Sequence, residues 1–324
     1  MIVKAEGKLT IGIPTKNRAH MLVVLLEDIK KYQADLPIVI SDNSDCDDTA
    51  SLVEKYSQWL NINYVRIAKN VNQAKNTNSV LKNTQTKYVV LMHDDDRFIP
   101  VSIPSYLALI DYIEACQLDM FGVYVKEIDF RNERDLDELL KPVSSTLEPS
   151  DVRDNFQIFH QREYQSYFVQ QGIGGRASGM LIDCHLVKSN NICFPTNAGA
   201  KIDKLFFLSA NAIGAVGYWK KPIIAKYLHQ DNSLYRRVTE NHYLFNQKII
   251  EIYEEDNLAI AKIHQRRIKK WINDVPQFKP IALGRLLGSS RLELNERISI
   301  WLKYILLHSK RFRQRLRFLA HKNK

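Results

Sequence analysis

With 324 residues, 45% of them apolar and 25% charged, the chain can bury one large core or a domain plus a smaller appendage. No apolar run reaches the roughly 18 residues needed to span a bilayer, and the first residues lack the apolar stretch and cleavage site of a signal peptide. The net charge of +10 is uneven, because residues 291–324 hold ten Lys and Arg against two Glu and leave the preceding chain nearly neutral.

In chain order, "KLTIGIP" predicts a strand and "RAHMLVVLLEDIKKYQ" a helix with an apolar stripe. "LPIVISD" predicts a second strand, and "DDTASLVEKYSQWL" a helix opened by cap-type Asp and Thr. "INYVRIA" is a third strand, "VNQAKNTNSVLKNT" a helix and "KYVVLMHD" a fourth strand. "SIPSYLALIDYIEAC" then predicts a helix and "LDMFGVYV" another strand. Near-continuous Val, Ile and Leu strands separated by helices indicate an α/β fold: a mostly parallel sheet covered by helices on both faces. Residues 131–170 are polar and then aromatic, which predicts an excursion from the sheet that lines a cleft. From about Thr239 the pattern is helical, so the expected division is 1–238 and a helical, basic region over 239–324. Cys46, Cys116, Cys184 and Cys193 form no CxxC pair, which argues for reduced thiols and against a zinc site.

The fourth strand runs straight into "HDDD", three consecutive carboxylates where repulsion and lost hydration cost stability. An acidic turn facing water is the bland reading. Two features weaken it: the cluster follows a buried strand, and a second acidic site, "SDNSDCDD", ends another. In a parallel sheet, ligands bind beyond the carboxyl ends of the strands. Asp94, Asp95 and Asp96 therefore suit a divalent cation, Mn²⁺ or Mg²⁺, held together with a phosphate-bearing ligand. Asp42 and Asn43, just past the second strand, can accept hydrogen bonds from a base or ribose.

"LTIGIPTKNRAHMLVVLLEDI", "PIVISDNSDCDDT", "NVNQAKNTNSVL" and "YVVLMHDDDRFIP", in that order and spacing, resemble glycosyltransferase family 2. The resemblance covers roughly residues 8–235. It implies the Rossmann-like GT-A fold and inverting transfer of a sugar from a nucleoside diphosphate donor, UDP-linked by expectation, to a hydroxyl. The implied acceptor is a glycan or a lipid-linked molecule in cell-surface polysaccharide or lipopolysaccharide assembly. Pro14 and Thr15, with Asn17 and Arg18 after them, resemble the family's nucleotide contact. Asp42 resembles the acid that holds the base, with Asn43 beside it. Lys75 lies near the place of a basic residue facing the nucleotide, in a helix that lacks the usual glycine. Counted back from Pro100, Asp95 matches the metal ligand of the DxD motif. Asp94 and Asp96 flank it on the sugar and metal sides, and His93 stands where a further Asp is commoner. His229 resembles a late His that closes over the metal or the diphosphate. Asp203, at the head of "DKLFF", resembles the catalytic base, although Ile202 replaces the usual preceding Glu. "SGMLIDCHLV" resembles the strand that floors the acceptor side.

Two other readings compete. A sugar-phosphate nucleotidyltransferase would share the acids, but "IPTKNRAH" has no glycine to grip a triphosphate. A basic-tailed nucleic-acid-binding module would use the C-terminal charge, but no RRM, KH or zinc-finger pattern appears, so no nucleic-acid partner is expected. "QGIGGRASG" comes too late and leads into a strand, so it is no dinucleotide fingerprint. None of the four Trp residues follows an Arg, unlike the motif of processive synthases, which favours addition of one or a few sugars.

In the tail, Ile298, Trp301, Leu302, Ile305 and Leu306 fall at helical spacing amid Lys303, Lys310, Arg311, Arg313, Arg315 and Arg317. Such a basic amphipathic helix predicts peripheral attachment to the anionic inner face of the cell membrane by an otherwise cytoplasmic enzyme. Packing on the catalytic domain, or a homodimer contact, is the alternative use of the same stripe.

Overall fold

The structure, a computed structural model, describes residues 7–33, 35–69, 71–140, 149–164, 167, 177–196 and 202–229. The chain divides into two compact units, Met1–Ser233 and Leu234–Lys324. The helical region and basic tail expected over 239–324, and residues 171–176 of the glycine-rich stretch, lie outside the described residues.

Strand β1 (Leu9–Thr15) is buried along almost its whole length, as expected of a strand covered on both faces. Helix α1 (Ala19–Gln33) buries Leu22, Leu25, Leu26 and Ile29, the i, i+3, i+4, i+7 stripe that fits one helix face to a sheet. Fully burying each such side chain stabilises by roughly 1.5–3 kcal/mol. Next come β2 (Ile38–Asp42), α2 (Asp48–Tyr56) and β3 (Ile62–Arg66). Helix α3 (Gln73–Asn83) begins where the Asn72 side chain accepts the Lys75 N–H. It packs so closely on β1 that a Cβ at Gly12 would collide with the Val80 side chain. Then follow β4 (Tyr88–Leu91), the two-residue β5 (Arg97–Phe98), α4 (Ser102–Ala115) and the long β6 (Met120–Phe130).

The described residues between 131 and 164 hold more regular structure than the sequence leads one to expect. They contain α5 (Glu133–Leu140), α6 (Pro149–Asn155) and β7 (Phe156–Phe159). Strand β7 adds to the sheet because Phe156 and Phe159 are buried and register with Trp219 and Val216. The stretch "MLIDCHLV" also differs from expectation. Strand β8 (Met180–Asp183) stops at Asp183, whose carboxylate caps the first turn of α7 (Cys184–Ser189) by accepting the His185 and Leu186 N–H groups. Helix α8 (Ile202–Ile213) leads into β9 (Ala215–Tyr227), a strand that the closing segment did not signal.

Among the described residues the nine strands form one sheet, ordered β3-β2-β1-β4-β8-β6-β9-β5, with β7 also on β9. The pairs from β3 to β4, and β6 with β9, are parallel; β8, β5 and β7 pair antiparallel. The sheet is therefore parallel through the first half, as the βα pattern predicts, and mixed in the second. Because β8 is antiparallel to both neighbours, β6 and β9 run the same way as β4. The carboxyl ends of β1, β2, β4, β6 and β9 thus share one edge, and β9 carries residues back to the end of β4.

Candidate active site

The edge is built from loops tied to one another by polar side chains. Thr15 and Asp42 are register partners at the ends of β1 and β2. After β1 the chain turns at Asn17, whose φ of 55° is in the left-handed region that Asn tolerates. Asn17 donates its N–H to Ser44 Oγ and exchanges two side-chain hydrogen bonds with Asp45, joining the β1 and β2 loops. Asn76 of α3 donates to the Thr15 carbonyl and to Asn43 Oδ1, and Asn43 donates in turn to the Val71 carbonyl. Pro14 is half-buried beside them on β1, paired with Ser41.

Asp42 is fully buried. Its Oδ1 accepts the Ser44 N–H at 2.8 Å; its Oδ2 accepts the Tyr64 hydroxyl at 2.7 Å and Arg66 Nη1 at 3.1 Å. Arg66 also donates to the Ser44 and Cys46 carbonyls. Tyr64 and Arg66 escaped the sequence reading. A signal existed, because Asp42 and Arg66 end adjacent parallel strands and are register partners.

The second acidic strand end is tighter. Met92 continues the ladder by donating to the Gly12 carbonyl, and His93 donates its N–H to Ser178 Oγ. Asp94 Oδ2 accepts the Thr15 hydroxyl at 2.7 Å. Arg18 Nη1 lies 3.2 Å from Asp94 Oδ1 and 3.1 Å from Asp95 Oδ2. Asp95 Oδ2 also meets His229 Nε2 at 2.8 Å, and the His229 ring stacks on Tyr227. Asp96 Oδ1 accepts the Tyr227 N–H at 3.1 Å, so β9 is stitched directly to the acid loop. From below, Arg97 grips Asp28 of α1 through Nε and Nη2, at 2.6 and 2.8 Å, anchoring the far end of that loop. Gly179 closes the floor at a φ of 77°, where a Cβ would collide with Ile224 and Val125.

Crowding sets the protonation of these acids. Burial and the Asp95 charge push the Asp94 carboxyl up, against Arg18 and Thr15. Burial acts on Asp95 as well, but His93, His229 and Arg18 together hold it below the ordinary carboxylate range. Asp96 is pushed up to about 7 by burial and then by Asp95. Burial also raises Asp203, which opens α8 and accepts the Lys204 N–H; His93 is among the charges that oppose the rise.

The expected metal ligands can be tested against these atoms. His93, Asp95 and Asp96 each offer a ligand atom, all within 4.8 Å of one another. Asp96 Oδ2 and His93 Nε2 are buried without a hydrogen-bond partner, and such atoms cost free energy unless something binds them. The two carboxylates suit Mn²⁺ or Mg²⁺, whereas an imidazole donor is commoner on softer divalent metals. The donor set fits a divalent cation, with His93 closer to the ligand set than the sequence implied and His229 bonded to Asp95. Lys75 is exposed in the first turn of α3, away from the contacts that join the acids.

Residues 10–167 match the profile of glycosyl transferase family 2. No functionally curated protein sequence matches the chain. Among solved structures, S. aureus TarS 1-349 is 16% identical with a TM-score of 0.54, covering 92% of this chain and 78% of that one. The same TarS fragment in complex with UDP-GlcNAc gives 16% identity and a TM-score of 0.55, covering 93% and 81%. Its complex with UDP gives 17% identity and 0.52, covering 90% and 77%. At that identity the likeness speaks to the fold, and the family match supplies the activity. Residues 10–167 are thus a glycosyltransferase family 2 domain, a glycosyltransferase built on the GT-A fold.

Proposed function

We propose that the enzyme moves a sugar, with inversion at the anomeric carbon, from a UDP-linked donor to a hydroxyl of a glycan or lipid-linked acceptor of the cell surface. One observation carries this reading: the buried acids Asp94–Asp96 converge with Thr15, Arg18 and His229 at one strand edge, and Asp203 opens a helix within electrostatic reach of His93.

Pro14, Thr15, Asn17, Arg18 and Asn43 form the donor side in this reading, with Lys75 at its margin. Asp42 serves the base end by holding Tyr64 and Arg66 in place. Asp95, Asp96 and His229 would hold the divalent cation, with the His93 ring beside them, and Asp94 would face the ribose or sugar. When bound, the cation neutralises the negative charge that develops on the departing diphosphate. Asp203 takes the proton of the acceptor hydroxyl as its oxygen bonds to the anomeric carbon and the carbon–oxygen bond to the diphosphate breaks. Its raised pKa helps, because a base with a pKa closer to the operating pH drives proton transfer better. A panel of UDP-, GDP- and dTDP-sugars with Mn²⁺ tests the reading. One donor class should raise the melting temperature and release its nucleoside diphosphate, and EDTA should abolish both effects. A flat response across the panel would sink it.

The basic tail supports peripheral attachment to an anionic bilayer. Removing residues from 296 onward should release the enzyme from anionic liposomes while transfer to a short soluble acceptor persists. Unchanged liposome binding would end this part of the reading.

A further inference from the structure

The Arg18 guanidinium occupies an unusual place for a donor-binding group. A single nitrogen, Nη1, bridges Asp94 Oδ1 and Asp95 Oδ2, and both carboxylates are nearly buried. Without a positive charge there, the adjacent buried carboxylates would repel each other. Arg supplies that charge permanently, because it does not deprotonate in proteins. The oxygen it holds on Asp95 also contacts His229. A metal ligated through this oxygen must therefore share or displace an interaction that already exists. The Arg18 side chain is 29% exposed and sits in the loop before α1, so it is not locked into the core.

We propose that Arg18 is the built-in counter-cation of the acid loop, which a divalent cation displaces from Asp95 only when a nucleoside diphosphate is present to receive the guanidinium. This rests on the metal and donor reading above and adds the order of events to it. Guanidinium and metal repel at one carboxylate, so the metal binds weakly to the nucleotide-free enzyme. A diphosphate carries enough negative charge to satisfy both cations, so metal and nucleotide reinforce each other. The acid loop meanwhile stays neutralised in the empty enzyme, and the site does not gather divalent ions without a donor.

The test uses the full chain, Mn²⁺ alone and then Mn²⁺ with saturating UDP, with free Mn²⁺ followed by electron paramagnetic resonance. In the wild type, UDP should tighten Mn²⁺ binding on the order of 100-fold, the scale of a strong coupling. Arg18→Gln should bind Mn²⁺ without nucleotide about tenfold tighter than the wild type, and UDP should then add little. Arg18→Lys, which keeps the charge, should stay within a few-fold of the wild type. A purely structural Arg18 would leave the nucleotide-free Mn²⁺ affinity unchanged or weaker, and that result overturns the proposal. Should Arg18→Gln fail to fold, the wild-type coupling still decides: equal Mn²⁺ affinity with and without UDP overturns it. Asp95→Asn separates the two ideas. If it binds Mn²⁺ as the wild type does, the metal reading itself has failed and this proposal falls with it. If Asp95→Asn loses Mn²⁺ but Arg18→Gln gains none, only the proposal for Arg18 fails.

Discussion

Two acidic strand ends stand on one edge of this sheet and have opposite character. At the end of β2, buried Asp42 has partners on both oxygens: a backbone N–H, a tyrosine hydroxyl and a guanidinium. After β4, three acids share a few cations, and Asp96 Oδ2 remains buried with no hydrogen-bond partner. A buried carboxylate with its bonds made holds other residues in place. One left incomplete stores a cost that a ligand can remove. Both sites look alike in one dimension, since each is an Asp-rich run behind a Val/Ile strand. Completeness of hydrogen bonding separates them.

The sharpest way to break this contrast is Asp95→Asn. Transfer should fall by roughly 10³-fold or more, because a charged ligand and its pull on the diphosphate are lost. The melting temperature should move little, because the pairing lost with Arg18 and His229 is offset by relief of the Asp95 charge on Asp94 and Asp96. Measurable transfer at the wild-type rate would make the β4 cluster as structural as Asp42.

Asp203→Asn comes next, with an expected loss of about 10²–10⁴-fold in turnover. Donor affinity should survive within a few-fold, since a base acts on the acceptor. The wild-type pH profile carries a linked expectation. Asp203 works deprotonated, and burial raises its pKa, so the acid limb of log kcat should lie above the usual aspartate range of about 3.9 and rise with pH. A limb at or below that range argues for a different base.

Asp42→Asn should act mainly on stability, by about 1–3 kcal/mol, as Tyr64 and Arg66 lose a charged partner. Arg66 is partly exposed, so solvent screening places the effect toward the lower end. Chemical denaturation checks it. A large fall in UDP affinity at unchanged stability would make Asp42 a direct base contact and erase the contrast.

Asp96→Asn gives the smallest change and the opposite sign. A carboxyl whose folded pKa is raised to about 7 destabilises the fold progressively as pH climbs from about 4 through 7, because the unfolded chain releases that proton more readily. At pH 8 without metal the neutral amide should therefore be equally or more stable than the wild type, by up to roughly 1–2 kcal/mol. Lower stability than the wild type under those conditions would show that the ionised group is well satisfied.

Much of this was legible in the chain. The βα alternation through residue 125, the apolar stripe of α1 and the acid run after β4 are local patterns with a period or a position. The elements from β1 to β6 accordingly lie within a few residues of expectation, except β5, which is too short to leave a periodic signal. Residues 131–164 misled because α5 buries little besides Leu136, so its sequence resembles a solvated loop. Strand β9 was hidden because it varies along its length, with Pro222 near a register shift where it can donate no ladder bond. Asp183 ended β8 early because a side-chain cap competes with strand continuation, and the two signals overlap in "IDCHLV".

Sequence alone determined which strands are buried on both faces, which ends carry carboxylates, and that one terminus holds most of the charge. These follow from composition and spacing, since hydrophobic burial acts on each segment's own pattern. Tertiary structure decided who neutralises whom. Arg18 reaches acids 76 and 77 positions away, and His229 meets Asp95 across 134. Those pairings depend on the parallel run of β1 beside β4 and on β9 returning to the same edge through β8 and β6. Electrostatic energy depends on distance in space and on burial, and neither is a property of position along the chain.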